Sequence, residues 1–177
     1  MIYIVCFLQF MQNYVSGNWY KGGESNYSLL GALTLEANYD NKEKWIWDNK
    51  LELKLGLLLS STDTLHKVKS NEDLVRLTSK VGIQASHRWY YTLQLQVYTQ
   101  FTPGYKSNDP NTYSDAFSPF NLNLGLGMEY ELKSKNKRLT GTVNLSPIAL
   151  NYRYVDRIDL TTKYGLDEGK HSMLEFG

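Results

Sequence analysis

Between Lys44 and Ser60 (KWIWDNKLELKLGLLLS), Trp45, Trp47, Leu51, Leu53, Leu55, Leu57 and Leu59 alternate with Lys44, Asp48, Lys50, Glu52, Lys54 and Ser60. A two-residue period of that length describes a strand with one apolar face and one charged face. Wound as a helix, the same stretch would spread Lys50, Glu52 and Lys54 around most of the circumference and leave no apolar stripe. A chain built from such strands is a sheet whose two sides call for opposite solvents, and a closed barrel in a membrane supplies them.

The pattern recurs. A first strand, Ile2 to Tyr14, is apolar on both faces; its opening, MIYIVCFLQF, lacks the basic start and small-residue cleavage site of an export signal and is too short for a membrane helix. After a glycine-containing loop, Asn18 to Ser25, the second strand (Asn26 to Tyr39) sets Tyr27, Leu29, Leu33, Leu35, Ala37 and Tyr39 against Asn26, Ser28, Thr34, Glu36 and Asn38. The polar turn Asp40 to Glu43 leads into the Lys44 strand, and a long polar connection, Ser61 to Glu72, follows it. The fourth strand is expected over Leu74 to Ala85, with a short turn at Ser86 to Arg88. The fifth, Trp89 to Phe101, carries Gln94, Gln96 and Gln100 on its polar face, amides that a dry interior would not satisfy.

A second long connection, Thr102 to Pro119, holds three of the four prolines. Strand six, Phe120 to Lys133, alternates Leu122, Leu124, Leu126, Met128 and Tyr130 with Asn121, Asn123, Gly125, Gly127, Glu129 and Glu131. A short turn, Ser134 to Lys137, precedes strand seven. That strand changes phase at Pro147, the mark of a bulge, since proline has no N–H for the ladder. The third long connection, Asp156 to Lys170, leads to His171 to Gly177, the opening of an eighth strand. Because the chain stops there, and a barrel precursor needs an export signal, a fragment truncated at both ends is expected.

Two regularities favour an all-β, antiparallel up-and-down transmembrane β-barrel, with a single domain over residues 1–177. Short and long connections alternate after the first hairpin, which collects the long ones at one rim. On the apolar face Tyr39, Trp45, Trp47, Trp89, Tyr91 and Tyr130 gather near the short-turn rim, and Tyr27, Phe101, Phe120 and Tyr152 near the other, as two lipid-interface girdles would. Strands of about 13 residues tilted by about 40° rise roughly 33 Å, enough to cross an apolar band of about 25 Å. The alternative is a soluble sandwich or lipocalin-like barrel with the apolar face inward, which predicts shorter strands and no belt. A mean hydropathy of −0.44 fits a membrane barrel, in which every second residue faces water.

Nineteen basic residues against 18 acidic ones, a net charge of +1, supply no field for nucleic acid. The single Cys6 sits among apolar neighbours as a packing residue. His66, His87 and His171 show no metal-ligand spacing, and the loop carboxylates Asp109, Asp115, Asp156 and Asp159 fit no calcium loop. His171 and Ser172 with Asp167 and Glu168 is the only hydrolase-like grouping, and nothing else in the chain supports it. No cofactor and no catalytic residue is expected.

The blocks Asn18 to Gly23 (NWYKGG), Thr99 to Tyr105 (TQFTPGY), Ser114 to Pro119 (SDAFSP), Asn144 to Val155 (NLSPIALNYRYV) and Tyr164 to Gly177 (YGLDEGKHSMLEFG) resemble the Bacteroidota outer-membrane family catalogued as domain of unknown function 3078, over nearly the whole chain. The resemblance implies a cell outer-membrane barrel with no assigned activity, continued by further strands. The expected function is a noncatalytic channel or transport-related protein, in contact with outer-membrane lipid and passing a small polar solute. A structural or adhesive protein presenting its long loops to a partner is the alternative; a membrane-embedded hydrolase or a soluble lipocalin-like binder ranks third. Candidate pore-lining residues are Glu36, Asp48, Lys50, Glu52, Lys54, Arg76, Lys80, Gln94, Gln96, Glu129 and Glu131, with Lys133 and Arg138 on the same face. Gly56, Gly82, Gly125 and Gly127 would leave room between them.

Overall fold

The computed structural model describes residues 1–18, 23–41, 44–133 and 140–177. Strands β1 (Ile2–Asn13), β2 (Asn26–Asp40), β3 (Trp45–Ser60), β4 (Val68–Ser86), β5 (Trp89–Thr99), β6 (Gly104–Tyr105), β7 (Thr112–Ser114), β8 (Phe120–Lys133), β9 (Thr140–Tyr154) and β10 (Ser172–Phe176) follow in order. Eight of them form one antiparallel sheet in the order β1-β2-β3-β4-β5-β8-β9-β10. Among the described residues β1 and β10 are its two edges, so the sheet is open rather than closed on itself.

Register carries the two-sided pattern across every strand. One row of paired residues runs Ile4, Leu35, Leu51, Leu77, Val97, Leu122, Tyr152 and Leu174. The adjacent row, on the opposite face, runs Tyr3, Glu36, Lys50, Thr78, Gln96, Asn123, Asn151 and Glu175. Directly opposed residues share a face, so a single register slip would exchange leucines for charges along a whole strand.

Three bulges bend the wall. At Gly56/Leu57 the extra residue Asn71 sits on β4, and at Gln84/Ser86 the extra residue is Ala85. On β9, Ser146 and Pro147 together face Gly127, the phase change expected at Pro147. Gly56 and Gly127 do not leave open space on the polar face. A Cβ on Gly127 would run into the Leu145 carbonyl oxygen, and one on Gly56 into the Asn71 side chain, so each glycine admits the bulge of its neighbour. Ile46 fills the space beside Gly82, 2.8 Å from where a Cβ would stand.

β4 begins six residues earlier than its alternation suggests, at Val68 rather than Leu74, so the connection after β3 is residues 61–67. The added residues are mostly polar, and the bulge at Asn71 breaks their period. The second long connection contains the β6–β7 hairpin, and the third a short helix α1 (Ile158–Thr161) followed by a 3-10 turn at Thr162–Tyr164. Residues 42 and 43 of the first expected turn, all of Ser134 to Lys137, Arg138, and most of the Asn18 to Gly23 block lie outside the described residues.

Burial runs opposite to that of a water-soluble sheet. Among the described residues the buried hydrophobic ones are Val155, Leu160 and Leu166, packed with Tyr164 and Met173 in the third long connection and its flanking strands. On the wall it is polar side chains that are buried, Thr92, Asn121 and Glu129 among them, whereas Leu93, Leu126, Leu145 and Ile148 are exposed.

Candidate lumen-facing site

The polar face is concave. A single recess of about 410 Å³ is lined by Glu36 and Asn38 of β2, Asp48, Asn49 and Lys50 of β3, Thr78 and Lys80 of β4, Gln94 of β5, Glu129 of β8, and Thr142 and Asn144 of β9. Six neighbouring strands laid flat would span roughly 24 Å, so a shared recess requires the sheet to curl about this face.

Two ion-pair chains run along the polar face, one extending beyond the recess and one within it. In the first, Lys50 Nζ lies 3.5 Å from Glu36 and 3.6 Å from Glu52, and Glu52 lies 3.6 Å from Arg76. In the second, Lys80 Nζ stands between Asp48 at 3.3 Å and Glu129 at 2.8 Å, reaching over β5 to do so. Glu129 is only 3% exposed, the most enclosed carboxylate of the wall. A buried carboxylate is held there by its partner, because an unpaired one costs several kcal/mol, of order 3–5 when a buried pair is broken.

Of the residues expected to line a pore, Glu36, Asp48, Lys50, Lys80, Gln94 and Glu129 come together in the recess, and Glu52 and Arg76 join them through the ion-pair chain from Lys50. Gln96 lies in a smaller recess of about 140 Å³ with Gln94 and Asn123, whose amide donates to it at 3.5 Å. Glu131 sits two residues nearer the short-turn rim, opposite Thr142. Lys54 is exposed, opposite Leu74 and Ala32, and makes no ion pair among the described residues. Asn38, Thr78, Thr142 and Asn144 also belong to the lining: alternation places them on the polar face, and the register across β2, β4 and β9 brings them to the recess.

On the convex face the expected girdle residues stand together at the short-turn rim. Tyr39 lies against Trp45 with ring centroids 5.6 Å apart, and Trp89 against Tyr130 at 4.8 Å. Tyr91 is 59% exposed. The Trp47 indole N–H donates to Ser79 Oγ at 3.0 Å, and Ser79 donates to Asn49 Oδ1 at 2.8 Å, a polar thread among apolar neighbours. An indole with one side apolar and its N–H satisfied suits an interface between wet and dry.

The long-loop rim carries a second polar construction that sequence reasoning missed. Asp63, 2% exposed, accepts the N–H groups of Leu65 and His66 at 3.2 and 2.8 Å, the Asn108 N–H at 3.4 Å and Lys69 Nζ at 3.2 Å. The His66 N–H lowers the Asp63 carboxyl from its ordinary 3.8; burial opposes this, and Lys69 with the Asn108 and Leu65 N–H groups reinforces it. His66 stacks on Tyr105 at 4.0 Å, and the Thr64 N–H donates to Asn108 Oδ1 at 3.0 Å, so the first two long connections are joined. The third joins them through Arg157 donating to Thr112 Oγ1 and through Tyr164 Oη donating to the Tyr113 carbonyl at 2.7 Å. The His171 imidazole Nδ1 faces the Val155 carbonyl at 2.9 Å, and Asp167 is paired with Lys170 at 2.7 Å. The imagined hydrolase grouping is not assembled.

The family described as Protein of unknown function (DUF3078) matches residues 10–105. This chain belongs to that family. The match runs from the end of β1 through β6 and includes the Asn18 to Gly23 and Thr99 to Tyr105 blocks, while the three later blocks of the resemblance lie beyond it. No curated protein and no solved structure matches the chain.

Proposed function

We propose that this member of the family is part of the wall of a β-barrel in the outer membrane of a Gram-negative, Bacteroidota cell, and that the barrel is a noncatalytic conduit for small polar solutes. The observation that carries the reading is the inverted burial: Glu129, Asn121 and Thr92 are enclosed on the concave side, whereas Leu77, Leu93, Leu126 and Leu145 are exposed on the other face. In water that arrangement forfeits the main driving force of folding; against hydrocarbon it satisfies it. A soluble binding barrel needs the opposite. Within a bilayer the open edges of β1 and β10 require partners, so the reading includes closure of the sheet into a barrel.

The test is reconstitution of the full-length protein in planar bilayers. Stable ion conductance is expected, altered by Lys50→Glu in the recess lining; silent bilayers from correctly inserted protein overturn the conduit. A second reading, a barrel that presents its rim to another molecule, is favoured by the bonds that tie the three long connections into one platform. Replacing residues 102–119 by a short linker separates the two, since a conduit continues to conduct.

A further inference from the structure

Towards β8, β9 and β10 the concave face changes from ion pairs to amides. Gln96, Asn123 and Asn151 stand opposite one another on β5, β8 and β9, a rung of three carboxamides that ends in Glu175 on β10. The next rung towards the long-loop rim is Tyr98, Asn121, Arg153 and Met173. Apart from Gln96, both rungs line one recess of about 200 Å³. Gln96 and Asn123 also line the recess of about 140 Å³ beside it, so the two hollows share a wall. Arg153 is committed to the protein: it donates to Asn121 Oδ1 at 2.8 Å and to the Tyr164 carbonyl at 2.7 Å, which fixes its guanidinium against the third long connection. Asn151 is exposed, and its amide has no hydrogen-bond partner among the described residues. Its cross-strand neighbours, Asn123 and Glu175, are both described.

A carboxamide offers a donor and an acceptor side by side. Neighbouring hydroxyls of a sugar do the same, so a polyhydroxylated solute matches several amides at once. A simple ion satisfies one half of each amide and strands the other, at a cost for every desolvated group left unpaired. Tyr98 and Met173 place less polar surface at one end of the recess, which suits the C–H face of a pyranose ring. About 200 Å³ is the room of roughly six or seven waters, or of one such ring. We propose that this amide sector is a binding site for a neutral sugar, taken one hexose ring at a time, and that neutral sugars are the solutes of the conduit. The site rests on the recess; its place in transport rests on the conduit reading.

The experiment is equilibrium dialysis of the full-length protein, folded in detergent micelles, against labelled D-glucose, with swelling of vesicles carrying the same protein in iso-osmotic glucose or glycine. Saturable glucose binding is expected, weakened about fivefold by Asn151→Leu and by a similar factor by Asn123→Leu. Glycine, smaller and zwitterionic, should not compete for the site, and vesicles should swell faster in glucose although sieving by size alone favours glycine. Asn151 is exposed, so Asn151→Leu keeps the test intact where the half-buried Asn123→Leu variant does not fold. Absence of binding, an unchanged affinity in Asn151→Leu, or equal competition by glycine overturns the sugar site and leaves the conduit standing. Binding that the variant weakens, with swelling faster in glycine, removes sugars as the transported solute. The same binding with no swelling in either solute overturns the conduit and leaves the site.

Discussion

On the wall, Glu129 and Thr92 are buried while Leu93, Leu126 and Ile148 are exposed; beneath the third long connection, Val155, Leu160 and Leu166 are buried while Asp167 and Lys170 are exposed. One chain thus follows two burial rules within a few residues of each other, and the change falls where β9 ends at Tyr154. On the proposed reading the wall would meet hydrocarbon and the loop core water, and a single hydropathy average would describe neither.

The contrast is broken most directly by charging the outer face at mid-height. Leu124→Arg should cost about 2–4 kcal/mol of folding stability in phosphatidylcholine vesicles, because the new guanidinium enters hydrocarbon. Asn123→Arg, one residue away on the concave face, should cost less than about 1 kcal/mol. Equal losses in urea titrations of the two would remove the distinction between faces. A smaller effect is expected in the loop core: Leu160→Ala should cost about 2–3 kcal/mol, appearing as faster proteolysis within residues 155–171, with folding of the wall unchanged. Loss of the wall along with it would mean that the two regions are one cooperative unit.

The smallest effect is a pH dependence confined to the rim. The Asp63 carboxyl is held below its ordinary 3.8, so its contribution is fully present above that value and is lost as pH falls through the lower folded value. Hydrogen exchange at the Leu65, His66 and Asn108 amides, corrected for intrinsic rates, should be flat from pH 7 to pH 5 and accelerate only below about pH 3.8. Acceleration already near pH 6 would point instead to a neighbouring histidine.

The wall was legible because its rule is local. β2, β3, β5 and β8 alternate over most of their length, and the bulge on β9 is announced by Pro147. The early start of β4 was not legible, since Val68 to Glu72 are mostly polar and Asn71 interrupts their period. The loop platform was hidden for another reason: Asp63 reads as an ordinary loop carboxylate, and its partner Asn108 lies 45 residues away. The ion-pair chains fall between these cases. Their members were visible as residues of one face, but that Lys80 reaches across β5 to Glu129 depends on curvature, which no strand's own sequence encodes.

The two residues of β9 that share the place opposite Gly127 have an unexpected corollary. Leu145 and Ile148 both point outward although they are three apart, so excising Pro147 would leave every neighbour aimed as it is now and every flanking pair intact. What such a deletion would remove is the local bend, and with the crowding at Leu145 relieved, position 127 could then accept an alanine. The spare residue serves the shape of the wall and has no bearing on which way its side chains look.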